Sequence, residues 1–331
     1  MSGCGEVDTK AVFFEHAYRV AAAMILGRAG VVEEEEAEGF RDIVAEMAAA
    51  TVEANVVDFL PFLGWFGFGS VERKMRLVQE KRERFMENFI GKHGGGGGEK
   101  NLIGFLLDLQ RYEAECYTDE MIRNFLLVII QGAIHTTATT LEWAFSHLLA
   151  NQHTIQARAR AEIDNLVGRS RLLDGSDLPG LPYLGCIISE TLRMHPAAPL
   201  LMPHVSSEEC RVGGFHVPRG TMLLVNAWEI QNSPETWKDP ERFSPGRFEG
   251  GKNGFESEFK FLPFGRGRRA CPGQRLAMEM VGVALGCLIQ CFEWEKIGEI
   301  DMKEGKGVVT TRLQPLRAKL APRPFLANLL S

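Results

Sequence analysis

Before Leu200 the apolar positions recur mostly at helical spacing; beyond it they fall into short runs broken by glycine and proline. The first part therefore predicts helices. Residues 8–26 read as one, with Asp8 or Thr9 offering an N-cap. Residues 33–49 read as a second, opened by the carboxylates Glu33 to Glu36, which suit the positive end of a helix. Val56 to Phe68 is densely apolar but interrupted by Pro61, Gly64 and Gly67. It predicts a loop or short helix, buried or laid against a ligand or a membrane surface. Residues 70–92 read as a charged amphipathic helix, and Gly94 to Gly98 as a flexible surface linker rather than a domain boundary. Residues 119–150 predict a long helix, with Thr118 as its cap and Asp119 and Glu120 in its first turn. Its middle, Phe125 to Ile134, is apolar all round, which predicts burial. Helices at 154–167 and 183–194 follow, the second stopping before Pro196.

From Leu200 to Ile230 the runs Leu200–Met202, Arg211–Val217 and Thr221–Trp228 read as strands, separated by Gly213-Gly214 and Pro218-Arg219-Gly220. A helical run returns from Gln274 to about Phe292, and the tail reads as loops with a hairpin at about Gly307 to Leu320. The expected fold class is mainly α with a small β region, in a single domain over residues 1–331 without internal repeats.

Composition narrows the picture. The formal net charge of −6 argues against a nucleic-acid partner. Seven cysteines, an odd number without a C-x-x-C pair, read as reduced thiols in a cytosol-facing compartment. No signal peptide follows Met1, and the best apolar run, Phe125 to Ile130, is too short to span a membrane before Gln131 interrupts it. The chain as given reads as soluble or at most peripheral.

The chemistry concentrates in Phe264-Gly265-Arg266-Gly267-Arg268-Arg269-Ala270-Cys271-Pro272-Gly273. An apolar run, Phe259 to Phe264, enters this stretch and a helix leaves it. Cys271 sits just before a helix N-terminus, where unpaired N–H groups favour an anion, the form in which sulfur binds a metal. Pro272 suits a first helical position. Gly267 and Gly273 lack a Cβ and admit a flat body close to the backbone. Arg269 offers a planar fork to a carboxylate. A thiolate, room for a flat body and a cation for carboxylates describe an iron porphyrin held by an axial cysteine. Gly265-x-Gly267-x-x-Ala270 also matches a dinucleotide fingerprint, but that motif needs a βαβ unit, the preceding chain reads as helices, and Pro272 interrupts the turn.

The spacing Phe-x-x-Gly-x-Arg-x-Cys-x-Gly resembles the heme-binding loop of the cytochrome P-450 family, the heme-thiolate monooxygenases. The resemblance implies the cytochrome P-450 fold lacking its N-terminal part, and heme b as cofactor. Cys271 would be the iron ligand, with Phe264, Gly267, Arg269 and Gly273 around it and His204 joining Arg269 on the propionates. Glu190 and Arg193 share a helix face and taken alone would be an ordinary surface pair. In the family this Glu-x-x-Arg meets an arginine from Pro-x-Arg-Phe. Arg242 and Arg247 both compete, and the spacing of Pro240, Phe243 and Pro245 selects Arg247, with Gly246 departing from the usual glutamate.

The family's central-helix motif, Ala/Gly-Gly-x-Asp/Glu-Thr, falls on Gly132-Ala133-Ile134-His135-Thr136 when anchored on Leu141-Glu142-Trp143-Ala144. Thr136 matches, and His135 replaces the acid that passes protons while dioxygen is split. The resemblance puts Ala133, Leu200, Leu201 and Met202 in the substrate pocket, with Thr310 and Thr311 as further lining.

Lys260, Arg266, Arg268 and Arg275 form either a solvated face or a docking patch for an acidic flavoprotein. Leu141-Glu142-Trp143-Ala144 is similar to plant microsomal members near the flavonoid and isoflavonoid hydroxylases. The implied activity is hydroxylation of a small apolar molecule, with dioxygen and electrons from an NADPH-dependent reductase, at the cytosolic face of the endoplasmic reticulum membrane. The membrane anchor of longer family members is absent from this chain, which leaves contact with a membrane surface open. A heme-thiolate peroxide isomerase or lyase, which needs no proton relay, is the alternative, and an inactive heme-binding fragment is a third reading.

Overall fold

The computed structural model describes residues 5–27, 34–52, 60, 62, 70–93, 101–251 and 259–330. They fall into two units. One holds residues 11–138 with 306–308; the other holds residues 1–10, 139–305 and 309–331.

The first unit is built from the helices Thr9–Leu26, Glu34–Val52, Ser70–His93, Leu102–Tyr112 and the first part of Asp119–Ala150. Its core is partly aromatic: Tyr18, Phe40, Phe85 and Phe89 follow one another with ring centroids 5.4 to 6.1 Å apart. Lys81 pairs with Glu46 at 2.6 Å, and Arg123 with Glu87 at 2.7 Å. Leu102–Tyr112 has no counterpart in the sequence expectation. Asn101 caps it, its side chain accepting from Gly104 N at 2.7 Å. The expectations for Gly94–Gly98 and, except at Leu60 and Phe62, for Val56–Phe68 lie outside the described residues.

Thr118 caps the long helix, accepting from Met121 N at 3.2 Å. Its apolar middle is not buried all round. Ile122, Leu126, Ile130 and Ile134 are at most 1% exposed, whereas Phe125 is 44% and Val128 70% exposed. Positions spaced by four share the covered face, and those at 125 and 128 look outward. By length and composition this helix could cross a membrane, contrary to the sequence expectation, but half of its most apolar window is buried in the protein.

The second unit carries the β structure. β1 (Gly5–Asp8), β7 (Arg317–Pro322) and β6 (Phe292–Lys296) make an antiparallel sheet in the order β1-β7-β6, with Val7 opposite Ala318 and Trp294 opposite Leu320. The tail is therefore not a local hairpin. Its last strand pairs with the start of the chain and with the strand after the helix Gln274–Cys291, and the segment before it forms only the bridge Glu304–Arg312. β2 (His204–Val205) pairs with β5 (Met222–Leu223), and β3 (Cys210–Val212) with β4 (Phe215–Val217) across Gly213-Gly214. Leu200–Met202, expected as a strand, is a turn: Leu201 N donates to Ala198 O at 3.1 Å and Leu201 takes φ +52°. Pro199 and Pro203 bracket it, and neither can donate to a ladder. Trp228 lies in the helix Ala227–Asn232 rather than a strand, because Asn226 caps that helix by accepting from Glu229 N at 3.0 Å.

A buried histidine pair fastens this unit internally. His195 ends the helix Pro182–Met194, and its Nδ1 stands 2.8 Å from Glu304 Oε1. A carboxylate accepts, so Nδ1 carries the proton, and neutral His195 offers its Nε2 lone pair to His147 Nε2–H at 3.1 Å. Trp143 stacks on His195 at 3.7 Å and Phe243 on His147 at 4.0 Å. Burial pushes both imidazoles below the ordinary value of 6.5; Arg193 and Arg312 push the same way on both, the partner ring adds to this on His147, and Glu304 opposes it on His195. Between the lowered folded values and 6.5 the unfolded chain binds more protons, so stability falls as pH drops through that window and is flat above it. The urea midpoint should begin to decline as the pH drops below about 6.5, the free imidazole value. His147→Phe should make that decline shallower; an unchanged slope would refute the assignment.

Candidate functional site

The loop before the helix Gln274–Cys291 is closed by its own backbone. Gly265 N donates to Leu262 O at 3.1 Å, Ala270 N to Gly267 O at 3.1 Å, and Cys271 N to Phe264 O at 2.9 Å. Gly265 and Gly267 hold φ of +68° and +79°, a region that residues with a side chain enter only under strain. Nothing lies within 4 Å of where a Cβ on Gly267 would stand. Phe264 and Gly273 are half-buried, while Cys271, Arg268 and Arg269 face solvent. The far end of the following helix is pinned by fully buried Gln290, which accepts from Leu173 N at 3.0 Å and donates to Gly168 O and Arg171 O.

Glu190, Arg193 and Arg247 meet. Glu190 and Arg193 are both 0% exposed. The Glu190 carboxylate accepts from Arg193 Nε at 2.8 Å and Nη2 at 3.0 Å, from Arg247 Nε at 2.9 Å, and from Ser244 N at 2.9 Å. Arg193 also donates to Gln231 O at 2.8 Å and Pro240 O at 2.6 Å. Arg247 donates to Lys238 O, Asp239 O and Arg242 O. The competitor Arg242 thus supplies only its carbonyl.

His204 opens β2 and is exposed, as are Leu200 and Met202. Leu201 reaches the loop: a Cβ on Gly265 would stand 3.8 Å from its Cδ1. Thr310 does not present an open surface. It is 5% exposed and its hydroxyl donates to Pro196 O at 2.8 Å, while its carbonyl accepts from Trp143 Nε1 at 2.7 Å. Thr311 is half-buried. On the long helix, Ala133, His135 and Thr136 are each partly exposed, and the Thr136 hydroxyl donates to Gly132 O at 2.6 Å. Lys260, Arg266, Arg268 and Arg275 are all exposed, with Arg266 over the Phe259 ring at 4.9 Å and Arg275 on Glu279 at 3.0 Å. Gln231 carries no sequence signal. It is one polar residue outside any motif, yet it touches both the Glu190–Arg193 network and Leu262 at the entry to the loop.

The residues fit an iron porphyrin by the chemistry of their donors. Among the described residues no group of three or more His, Cys, Asp or Glu could hold a metal ion. A thiol without companion protein ligands, like Cys271, suits a metal that brings its other ligands with it, as porphyrin iron does. The open approach at Gly267 and the exposed Arg269 and His204 suit a flat body with carboxylate edges.

The family model described as Cytochrome P450 matches residues 2–320. Among curated relatives, Cytochrome P450 81D1 of Arabidopsis thaliana is 47% identical over 302 residues, covering 90% of this chain and 59% of its own length. The (+)-piperitol/(+)-sesamin synthase CYP81Q2 of Sesamum radiatum is 40% identical, covering 99% of this chain and 65% of its own. Isoflavone 2'-hydroxylase of Medicago truncatula is 38% identical, covering 97% and 65%. The chain therefore spans less than two thirds of the length of these relatives. A zebra fish cytochrome P450 solved with Abiraterone superposes with a TM-score of 0.80 at 25% identity, over 96% of this chain and 73% of that one. A family match over nearly the whole length, with relatives this similar, places the chain in the cytochrome P450 family, whose members bind heme.

Proposed function

We propose that this chain is the heme-bearing part of a monooxygenase that hydroxylates a small apolar secondary metabolite, with dioxygen and electrons from an NADPH-dependent flavoprotein reductase. The carrying observation is the accessible Cys271 thiol on a loop closed by its own backbone, just before the helix Gln274–Cys291. Heme with a thiolate ligand supplies the electron density that favours O–O cleavage. The chain's own residues do the rest. Cys271 holds the metal, and Arg269 and His204 bind the carboxylates that orient the macrocycle. Leu200, Leu201 and Met202 exclude water and offer apolar contact to substrate, and Ala133 leaves room for it on the long helix.

His135 and Thr136 move protons. The Thr136 hydroxyl, held by Gly132 O, accepts a proton from one side and passes it on. Imidazole takes and releases protons near neutrality, so it can stand where the family has an acid. The relatives named for an isoflavone and for piperitol and sesamin favour a flavonoid-like or similarly aromatic substrate. Lys260, Arg266 and Arg268 supply the positive face for an acidic reductase, and the cytosolic side of the endoplasmic reticulum membrane is the site this implies.

The test is NADPH consumption and product formation with a plant reductase across a panel of flavonoids. Thr136→Ala should lower product per NADPH and release more peroxide. His135→Asp should retain or raise that yield while flattening its pH dependence. Unchanged yields in both variants would remove the proton relay from the reading. Turnover of lipid hydroperoxides without NADPH, indifferent to Thr136→Ala, would favour a peroxide isomerase instead, a reading kept in view by His135 replacing the acid.

A further inference from the structure

One buried amide links the helix Pro182–Met194 to the cysteine loop. Gln231 is 0% exposed. Its Nε2 donates to Leu192 O at 3.0 Å and Arg193 O at 3.2 Å, in the last turn of that helix. Its Oε1 accepts from Leu262 N at 2.7 Å, and its own carbonyl accepts from Arg193 Nη1 at 2.8 Å. Leu262 is itself buried, so water offers its N–H no ready alternative. From Leu262 the chain of bonds continues inward: Leu262 O accepts from Gly265 N, and Phe264 O accepts from Cys271 N. The backbone height of Cys271 is thus referred, through one side chain, to the turn of helix that carries Glu190 and Arg193.

We propose that Gln231 is a positioning residue for the Cys271 sulfur, setting the loop's register against the Glu190–Arg193 helix. The proposal rests on the reading of Cys271 as the heme ligand. A residue that merely filled the core would be replaceable by an apolar side chain of similar length without consequence for the sulfur. Gln231→Met has that length but removes the acceptor of the buried Leu262 N–H and the side-chain donor to Leu192 O, while Arg193 O keeps Asn232 Nδ2 at 3.4 Å. Gln231→Glu keeps an acceptor for Leu262 N–H. When protonated, the state burial favours, it also donates to one carbonyl.

In the heme-loaded full chain, Gln231→Met should lower the ratio of the thiolate-type red-shifted carbonyl band to the blue-shifted band about tenfold, the effect of one unpaired buried donor. Gln231→Glu should recover most of that ratio, more at about pH 5.5 than at about pH 8, because the carboxyl pays its part only when neutral. In the heme-free chain, amide exchange at Leu262, Gly265 and Cys271 should quicken in Gln231→Met while the helix Pro182–Met194 stays protected. A Gln231→Met protein with the wild-type band ratio and wild-type exchange at these three amides overturns the proposal. So does loss of protection throughout the chain in both variants, which would make Gln231 a residue of the fold as a whole. If Cys271→Ala leaves the red-shifted band in place, the ligand reading fails instead, and the heme-free exchange arm still decides whether Gln231 sets the loop.

Discussion

Glu190→Ala should destabilise the chain by about 3–5 kcal/mol, the cost of leaving one partner of a buried ion pair uncompensated. The carboxylate is 0% exposed and accepts four hydrogen bonds, three of them from guanidinium groups. Without it Arg193, also 0% exposed, faces Arg247 with no intervening charge. A domain's whole stability is only about 5–15 kcal/mol, so the variant should lose much of its margin. Glu190→Gln should be milder, since an amide still accepts through one oxygen. The segment 238–247 should loosen with either change, because Arg247 holds it through Lys238 O, Asp239 O and Arg242 O. Urea unfolding measures the loss, and a shift below about 1 kcal/mol, the scale of a surface pair, would show that the network does not bear on the fold.

Cys271→Ala should have the opposite profile: almost no effect on folding and a complete effect on the metal. The side chain is exposed, and such substitutions are usually within about 0.5 kcal/mol. The backbone bond from Cys271 N to Phe264 O does not depend on the side chain. Yet no other described residue can take over as ligand from the same loop, so the red-shifted Soret band of the ferrous carbonyl complex should vanish. Cys287→Ala is the control. That thiol donates to Leu173 O at 3.4 Å, and burial pushes it up to about 11, so it cannot supply a thiolate near neutrality. Survival of the band in Cys271→Ala with loss in Cys287→Ala would reverse the assignment.

Features with local causes were legible in the order of residues alone. The long helix was legible from Thr118 and the run it caps, because capping and helical spacing act within a few residues. So was the cysteine loop, whose glycines, proline and following helix write its shape into ten consecutive positions. The meeting of Glu190 and Arg193 with Arg247 was legible only through family spacing, since nothing local draws residue 190 to residue 247. Features that depend on distant partners became visible only once the chain was folded. β7 pairs with residues at the opposite end of the chain, so its own sequence suggested a hairpin. Leu200–Met202 is apolar enough for a strand, but the prolines on either side turn it, and its neighbour across space is Gly265. The His147–His195–Glu304 chain and the Gln231 bridge left no mark on the sequence. Each joins segments far apart through single polar side chains, and a lone buried hydrogen bond has no period for a pattern to reveal.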